Sequence, residues 1–197
     1  MENAIHYAFI LDQSGSMQCM KQKVVTSYNE QIEAISKLKL NNPDFGIKFT
    51  LCVFNDEINL KFIDRNIEEL KKLKPDEYQP NSCTALYDAI GITLSKLGNY
   101  INPGDQVFLA IFTDGLENAS TDYSADDIRK TLARADEKGW KVKFFCRDED
   151  NLFYKEHLGI SDAQMMNVSL NEAGLKAMDT EIYYCLDEMV NHQKAKK

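Results

Sequence analysis

Two kinds of apolar run alternate along the chain. Ala4-Ile5-His6-Tyr7-Ala8-Phe9-Ile10-Leu11 is almost continuously apolar and gives way to polar residues at Asp12, as expected of a central strand covered on both faces. From Met20 to Leu38, the residues Val24, Tyr28, Ile32, Ile35 and Leu38 recur at spacings of four and three, which marks one apolar face of a helix. Asn41-Asn42-Pro43-Asp44 ends it. Residues 47–54 read as a second strand, and Asn55-Asp56-Glu57 turns the chain into a shorter run, 58–63. That pair predicts an antiparallel hairpin at a sheet edge. A small helical segment is expected over 67–73 and a loop over 75–80. Thr84 then opens a helix with Leu86, Ile90, Leu94 and Leu97 on one side and Gly98 at its end.

The alternation continues with a buried-type strand at 107–112, the polar loop that starts at Thr113-Asp114-Gly115, and a helix over 125–138 stopped by Gly139. A strand at 142–146, a helix over Asn151–Leu158, a last strand at 165–168 and a final helix over 172–189 complete the chain. Strands alternating with helices predict an α/β fold. We expect a doubly wound, mostly parallel central sheet with one antiparallel edge strand and helices on both faces. Residues 1–190 read as a single domain and 191–197 as a short basic, frayed tail. In such sheets ligands bind beyond the carboxyl ends of the strands, near where the strand order reverses.

Composition narrows the function classes. With 197 residues, 44% hydrophobic and 27% charged, the chain can bury a core without disulfides or structural zinc. The net charge is −8, and the only dense basic stretch is Lys194-Ala195-Lys196-Lys197, so nucleic acid and anionic membrane are not expected partners. Cys19, Cys52, Cys83, Cys146 and Cys185 are widely spaced and include no Cys-x-x-Cys pair, which argues against a disulfide framework or a zinc site. Cys52 and Cys146 sit in apolar runs and read as small buried hydrophobes. The opening apolar run is too short to span a membrane and lacks signal-peptide features. Together these features set a cytoplasmic location as the expectation.

Three polar clusters follow the ends of apolar runs: Asp12-Gln13-Ser14-Gly15-Ser16, Ser82-Cys83-Thr84 and Thr113-Asp114-Gly115. All three are expected on one rim of the sheet, where Gly15 lets the chain turn tightly enough to aim two hydroxyls inward. Oxygen-only ligands completed by water suit Mg²⁺ at roughly 2.0 to 2.1 Å per bond, with Mn²⁺ or Ca²⁺ as alternatives. If Asp12 and Asp114 act through water and neutral hydroxyls bind directly, the ion stays electrophilic and seeks a carboxylate from elsewhere. Taken singly, Ser14, Ser16 and Thr84 also fit helix caps and Asp114 an Asx turn. Their combination at matching element ends favours one metal site. His6, His157 and His192 are not expected at it.

At these residues the chain resembles the von Willebrand factor A-type family, whose metal-ion-dependent adhesion site (MIDAS) has the pattern Asp-x-Ser-x-Ser, a later Thr and a later Asp. Asp12-Gln13-Ser14-Gly15-Ser16-Met17, Thr84-Ala85-Leu86-Tyr87-Asp88-Ala89-Ile90 and Thr113-Asp114-Gly115 occur in the family's order. Cys83-Thr84-Ala85-Leu86, Gly115-Leu116-Glu117-Asn118-Ala119-Ser120 and Gly139-Trp140 make it most similar to compact stand-alone bacterial or phage members. The resemblance implies that Ser14, Ser16 and Thr84 contact the metal directly or switch to water-mediated contact. It also implies that Asp12 and Asp114 act through water, and that a partner's Glu or Asp fills the open position. Two features depart from the pattern. Asn81-Ser82 stands where such proteins place glycine, although Asn tolerates left-handed backbone. Arg147-Asp148-Glu149-Asp150 stands where relatives carry small residues, and reads as a solvated loop, with a partner-specific contact as the alternative.

The function expected is a divalent-metal-dependent protein-binding module that takes part in intracellular complex assembly, rather than an enzyme. A Mg²⁺-dependent phosphoester hydrolase is one alternative. Against it, dehalogenase-like phosphatases place a second Asp where this chain has Ser14, and Gly-x-Ser-x-Gly and Gly-x-x-x-x-Gly-Lys are absent. A metal-independent scaffold of the same fold is the other.

Overall fold

The computed structural model describes residues 3–195. Six strands form one sheet: β1 (Ala4–Asp12), β2 (Gly46–Phe54), β3 (Ile58–Asn66), β4 (Gln106–Phe112), β5 (Lys141–Cys146) and β6 (Met165–Asn167). Their order is β3-β2-β1-β4-β5-β6, and only the β2–β3 pairing is antiparallel. The expected mostly parallel sheet with one antiparallel edge is therefore present. Chain order runs outward from β1 to β3, then crosses back to β4, so the reversal falls between β1 and β4.

The five α-helices divide between the faces. Alternate side chains of β1 explain why its whole run is apolar: Tyr7, Phe9 and Leu11 pack with α1 (Lys21–Leu40) and α5 (Glu172–Lys194). Ala8 and Ile10 pack with α2 (Leu86–Leu97), α3 (Ala125–Glu137) and α4 (Asn151–Leu158) on the other side. Gly139 at φ +71° and Gly159 at φ +70° end α3 and α4 in left-handed backbone, which costs glycine little. No described helix is long and apolar enough to cross a membrane.

Several boundaries differ from the sequence expectation. β3 runs three residues further, to Asn66, past a register irregularity where Asp64 takes φ 51°. The 67–73 segment is helical only as a 3-10 turn over Ile67–Glu69. The last strand stops at Asn167. The final helix continues through most of the expected tail to Lys194, because Val190 and Gln193 extend its buried face. Lys196 and Lys197 lie outside the described residues.

Candidate metal centre

Neighbouring strand ends bring the three clusters together. Asp12 closes β1, and Asp114 follows the end of β4 by two residues. Thr84 arrives on the segment before α2, which is tied to the β1 loop by Gly15 N–H to Ser82 O (3.0 Å) and Asn81 N–H to Gln13 O (3.0 Å). Gly15 serves close approach rather than an unusual φ, since a Cβ there would stand 3.3 Å from the Ser82 carbonyl oxygen. The left-handed backbone is taken by Ser82 (φ 62°), not by Asn81. Asn81 instead accepts a short hydrogen bond from the Asn55 side-chain amide.

Four of the five expected residues are linked by hydrogen bonds, and Thr84 lies close to them. Asp12 is fully buried. Its Oδ1 accepts from Ser14 N–H at 2.6 Å and its Oδ2 from Thr113 Oγ1 at 2.6 Å. Ser14 Oγ lies 3.1 Å from Ser16 Oγ, which donates to Asp114 Oδ1 at 2.5 Å. Thr84 Oγ1 and Ser16 Oγ lie 3.9 and 4.0 Å from the point a Cβ on Gly115 would occupy, so both hydroxyls face the space above that glycine. Asp114 Oδ2 is buried and has no hydrogen-bond partner.

Helix capping does not account for this arrangement. Ser14 stands at the N-cap of a 3-10 turn (Gly15–Met20) without a side-chain cap bond, and Ser16 lies inside that turn. The N-cap of α2 is Ala85, not Thr84. The Ser16 bond to Asp114 joins residues 98 apart in the chain, which a local Asx turn does not do.

The electrostatics favour a cation. Burial pushes the Asp12 carboxyl up to about 6, against the pull of hydrogen bonds from Thr113 and Ser14 and with a further push from Asp114. Burial also raises Asp114, opposed by Ser16 and by the Arg147 guanidinium and reinforced by Asp150. Two buried carboxylates that resist ionisation, one with an orphaned oxygen, gain from a divalent ion among them. The donor set of two carboxylates and three hydroxyls is all oxygen, as Mg²⁺ requires. Among the described residues no group of three or more His, Cys, Asp or Glu is arranged to hold an ion, which leaves this hydroxyl-rich set as the candidate.

Several supporting residues were not among the expected ligands. Thr113 orients Asp12, although its hydroxyl closes an apolar run and was visible only as part of the motif. Asn118 holds Thr84 from both sides: its Oδ1 accepts from Thr84 N–H at 2.9 Å and its N–H donates to Thr84 O at 3.0 Å. Glu117 accepts from the Tyr87, Ala119 and Ser120 backbones and from Ser120 Oγ, which fixes the loop after Asp114. Arg147-Asp148-Glu149-Asp150 is not simply a solvated loop. Asp150 is buried and accepts from Arg147 Nε at 2.8 Å, and the guanidinium acts on Asp114. His6 lies near the other end of β1, buried between Asp64 (2.8 Å) and Asp105 (3.1 Å).

A cavity of about 770 Å³ lies along β3 and the 69–73 segment and is lined by none of the five.

No family model and no curated protein matches the chain. Solved structures show that it has the von Willebrand factor A-type fold. The PilB minor pilin from Streptococcus sanguinis aligns with a TM-score of 0.69 and 12% identity over 96% of this chain and 63% of that one. The vWF domain of the type V pili tip protein Mfa5 from Porphyromonas gingivalis aligns with a TM-score of 0.67 and 9% identity, covering 92% of this chain and 96% of that domain. Proximal thread matrix protein 1 from the mussel byssus, solved with a zinc-occupied MIDAS motif, gives 0.56 and 13% over 94% of this chain and 46% of that one. The chain thus spans less than two thirds of the pilin and less than half of the byssus protein.

Proposed function

We propose that this chain is a protein-binding module that holds one divalent ion, Mg²⁺ or else Mn²⁺ or Ca²⁺, through Asp12, Ser14, Ser16, Thr84 and Asp114. When bound, the ion supplies an electrophilic open position that takes an Asp or Glu carboxylate from a protein partner. The observation that carries the reading is the orphaned, buried Asp114 Oδ2 beside hydroxyls from two other chain segments, Ser14 and Ser16 on one and Thr84 on the other. Ser14 and Ser16 set the hydroxyl pair, Thr113 holds Asp12 in place, and Asn118 holds Thr84. The pilus and byssus proteins among the structural neighbours, one with metal in its MIDAS, support a binding role of this kind.

A hydrolase in which Asp12 attacks phosphate is disfavoured, because both its carboxylate oxygens already accept hydrogen bonds and the residue is fully buried. A metal-free scaffold leaves Asp114 Oδ2 unexplained. The five free cysteines support a reducing, cytoplasmic setting as part of the same proposal. Capture of partners on the immobilised protein tests the reading. We expect at least one partner retained in Mg²⁺, released by chelator and absent from Asp12→Ala. Partners retained equally in all three conditions would contradict it.

A further inference from the structure

The loops around the metal centre, residues 13–20, 55–57, 81–85, 113–124 and 147–150, contain one Lys or Arg between them, Arg147. Its guanidinium is already paired with Asp150 at 2.8 Å and Glu149 at 2.5 Å. In the same loops Asp56, Glu57, Asp122, Asp148 and Glu149 are exposed. A divalent ion is balanced in charge by Asp12 and Asp114 alone, so it leaves the rim carboxylates uncompensated. A partner's carboxylate that approaches the ion therefore meets loops whose exposed charges are of its own sign. Screening over a Debye length of about 8 Å does not remove repulsion between neighbours on one rim. A ligand at the centre is supported independently by Asp114 Oδ2, which is buried and unpaired beside the site's hydroxyls.

Building on the metal-bridged reading above, we propose that the partner presents its ligand carboxylate within a basic surface: one Asp or Glu for the ion, flanked by Lys or Arg that face Asp56, Glu57, Asp122 and Asp148. The rim then does two things. It draws basic surfaces in from a distance, and it rejects acidic or neutral surfaces that carry an otherwise suitable carboxylate. The metal position supplies the bond, and the rim supplies the choice of partner.

Short fluorescent peptides with one central Glu test this by anisotropy on the natural protein in Mg²⁺. One is flanked by Lys, one by Ser and one by Asp, and a fourth has Gln in place of Glu between the Lys residues. We expect the Lys-flanked Glu peptide to bind about tenfold or more tighter than the Ser-flanked one, with an affinity that falls as salt rises. The Asp-flanked peptide should bind weakest. Asp56→Lys combined with Glu57→Lys should abolish most of the preference for Lys flanks while Mg²⁺ titration by calorimetry still shows one saturable site. The proposal is overturned if the Lys-flanked Glu peptide fails to bind at millimolar concentration, or if the rim substitutions do not alter the preference. If all three Glu peptides bind alike in Mg²⁺ and are released by chelator, metal bridging stands and the basic context falls. If the Gln peptide binds as well as the Glu peptide, and chelator has no effect, attraction is by charge alone and the metal-bridged reading falls as well.

Discussion

At the residue scale the site turns on Asp114, a carboxylate sealed from water with one oxygen bonded to Ser16 and the other to nothing. Burial raises its pKa, so in the metal-free protein its charged form destabilises the fold, and a cation reverses the sign. Asp114→Asn keeps an acceptor for Ser16 and removes the charge. We therefore expect metal-free Asp114→Asn to melt at the same temperature as the natural protein or higher, while the rise in melting temperature on adding Mg²⁺ is lost. A large drop in metal-free stability with the Mg²⁺ response intact would contradict this. The five candidate ligands were legible in the sequence because each is an oxygen-bearing residue placed near the edge of a buried run. Thr113 was legible as part of the same polar cluster, but its role was not, since the bond of its hydroxyl to Asp12 joins residues 101 apart. The Arg147 cluster was legible in part: Asp148 and Glu149 are exposed as their charge suggests, whereas Asp150 is buried and paired with Arg147. Pairing of that kind is invisible without the third dimension.

At the scale of elements, the loop from Thr113 to Ser124 is a fixed brace. Asn118 joins it to Thr84, Glu117 to the start of α2, and Asp88 on α2 accepts from the Thr121, Asp122 and Tyr123 backbones. Losing the Asn118 side-chain bond removes a contribution of about 0.5 to 1.5 kcal/mol, and part of it should appear as weaker metal binding because Thr84 is freed. Asn118→Ala should therefore lower Mg²⁺ affinity several-fold. Asn118→Asp keeps the acceptor and should restore it. Equal loss in both variants, or loss in neither, would argue against the brace. β1, β2, β4 and β5 were legible from hydrophobicity because both their faces are buried. The outer part of β3 was not, because Lys61 and Arg65 are exposed along that edge strand, and edges tolerate charge and bulges. The end of α5 was missed for the opposite reason: Gln193 is polar yet packs against the sheet side, so the helix outlasts its apolar pattern.

At the scale of the whole molecule, protonation acts at two separate places in the fold. Burial raises both Asp12 and Asp179 to about 6 from 3.8, Asp179 against hydrogen bonds from Ser27 and Gln31 that dock α5 on α1. A carboxyl whose folded pKa is raised holds its proton more tightly in the folded state, so its contribution to stability is fully present below about 3.8 and is lost as pH rises through about 6. Without metal, the melting temperature should rise on going from about pH 7.5 to about pH 5.5, and Asp179→Asn should flatten part of that rise. A metal-free melting temperature that falls over the same interval would refute the linkage. With Mg²⁺ the trend should weaken or reverse, because protons then compete with the ion for Asp12. The central claim is that these five residues form a metal site, and calorimetric titration of chelator-stripped protein with Mg²⁺ and Mn²⁺, paired with thermal unfolding, tests it most directly. The account predicts saturable binding at one site, stabilisation of about 2.7 kcal/mol at one hundred times the dissociation constant, and loss of both signals in Asp12→Ala. Binding that persists unchanged in Asp12→Ala, or no heat and no stabilisation with either ion, would contradict it.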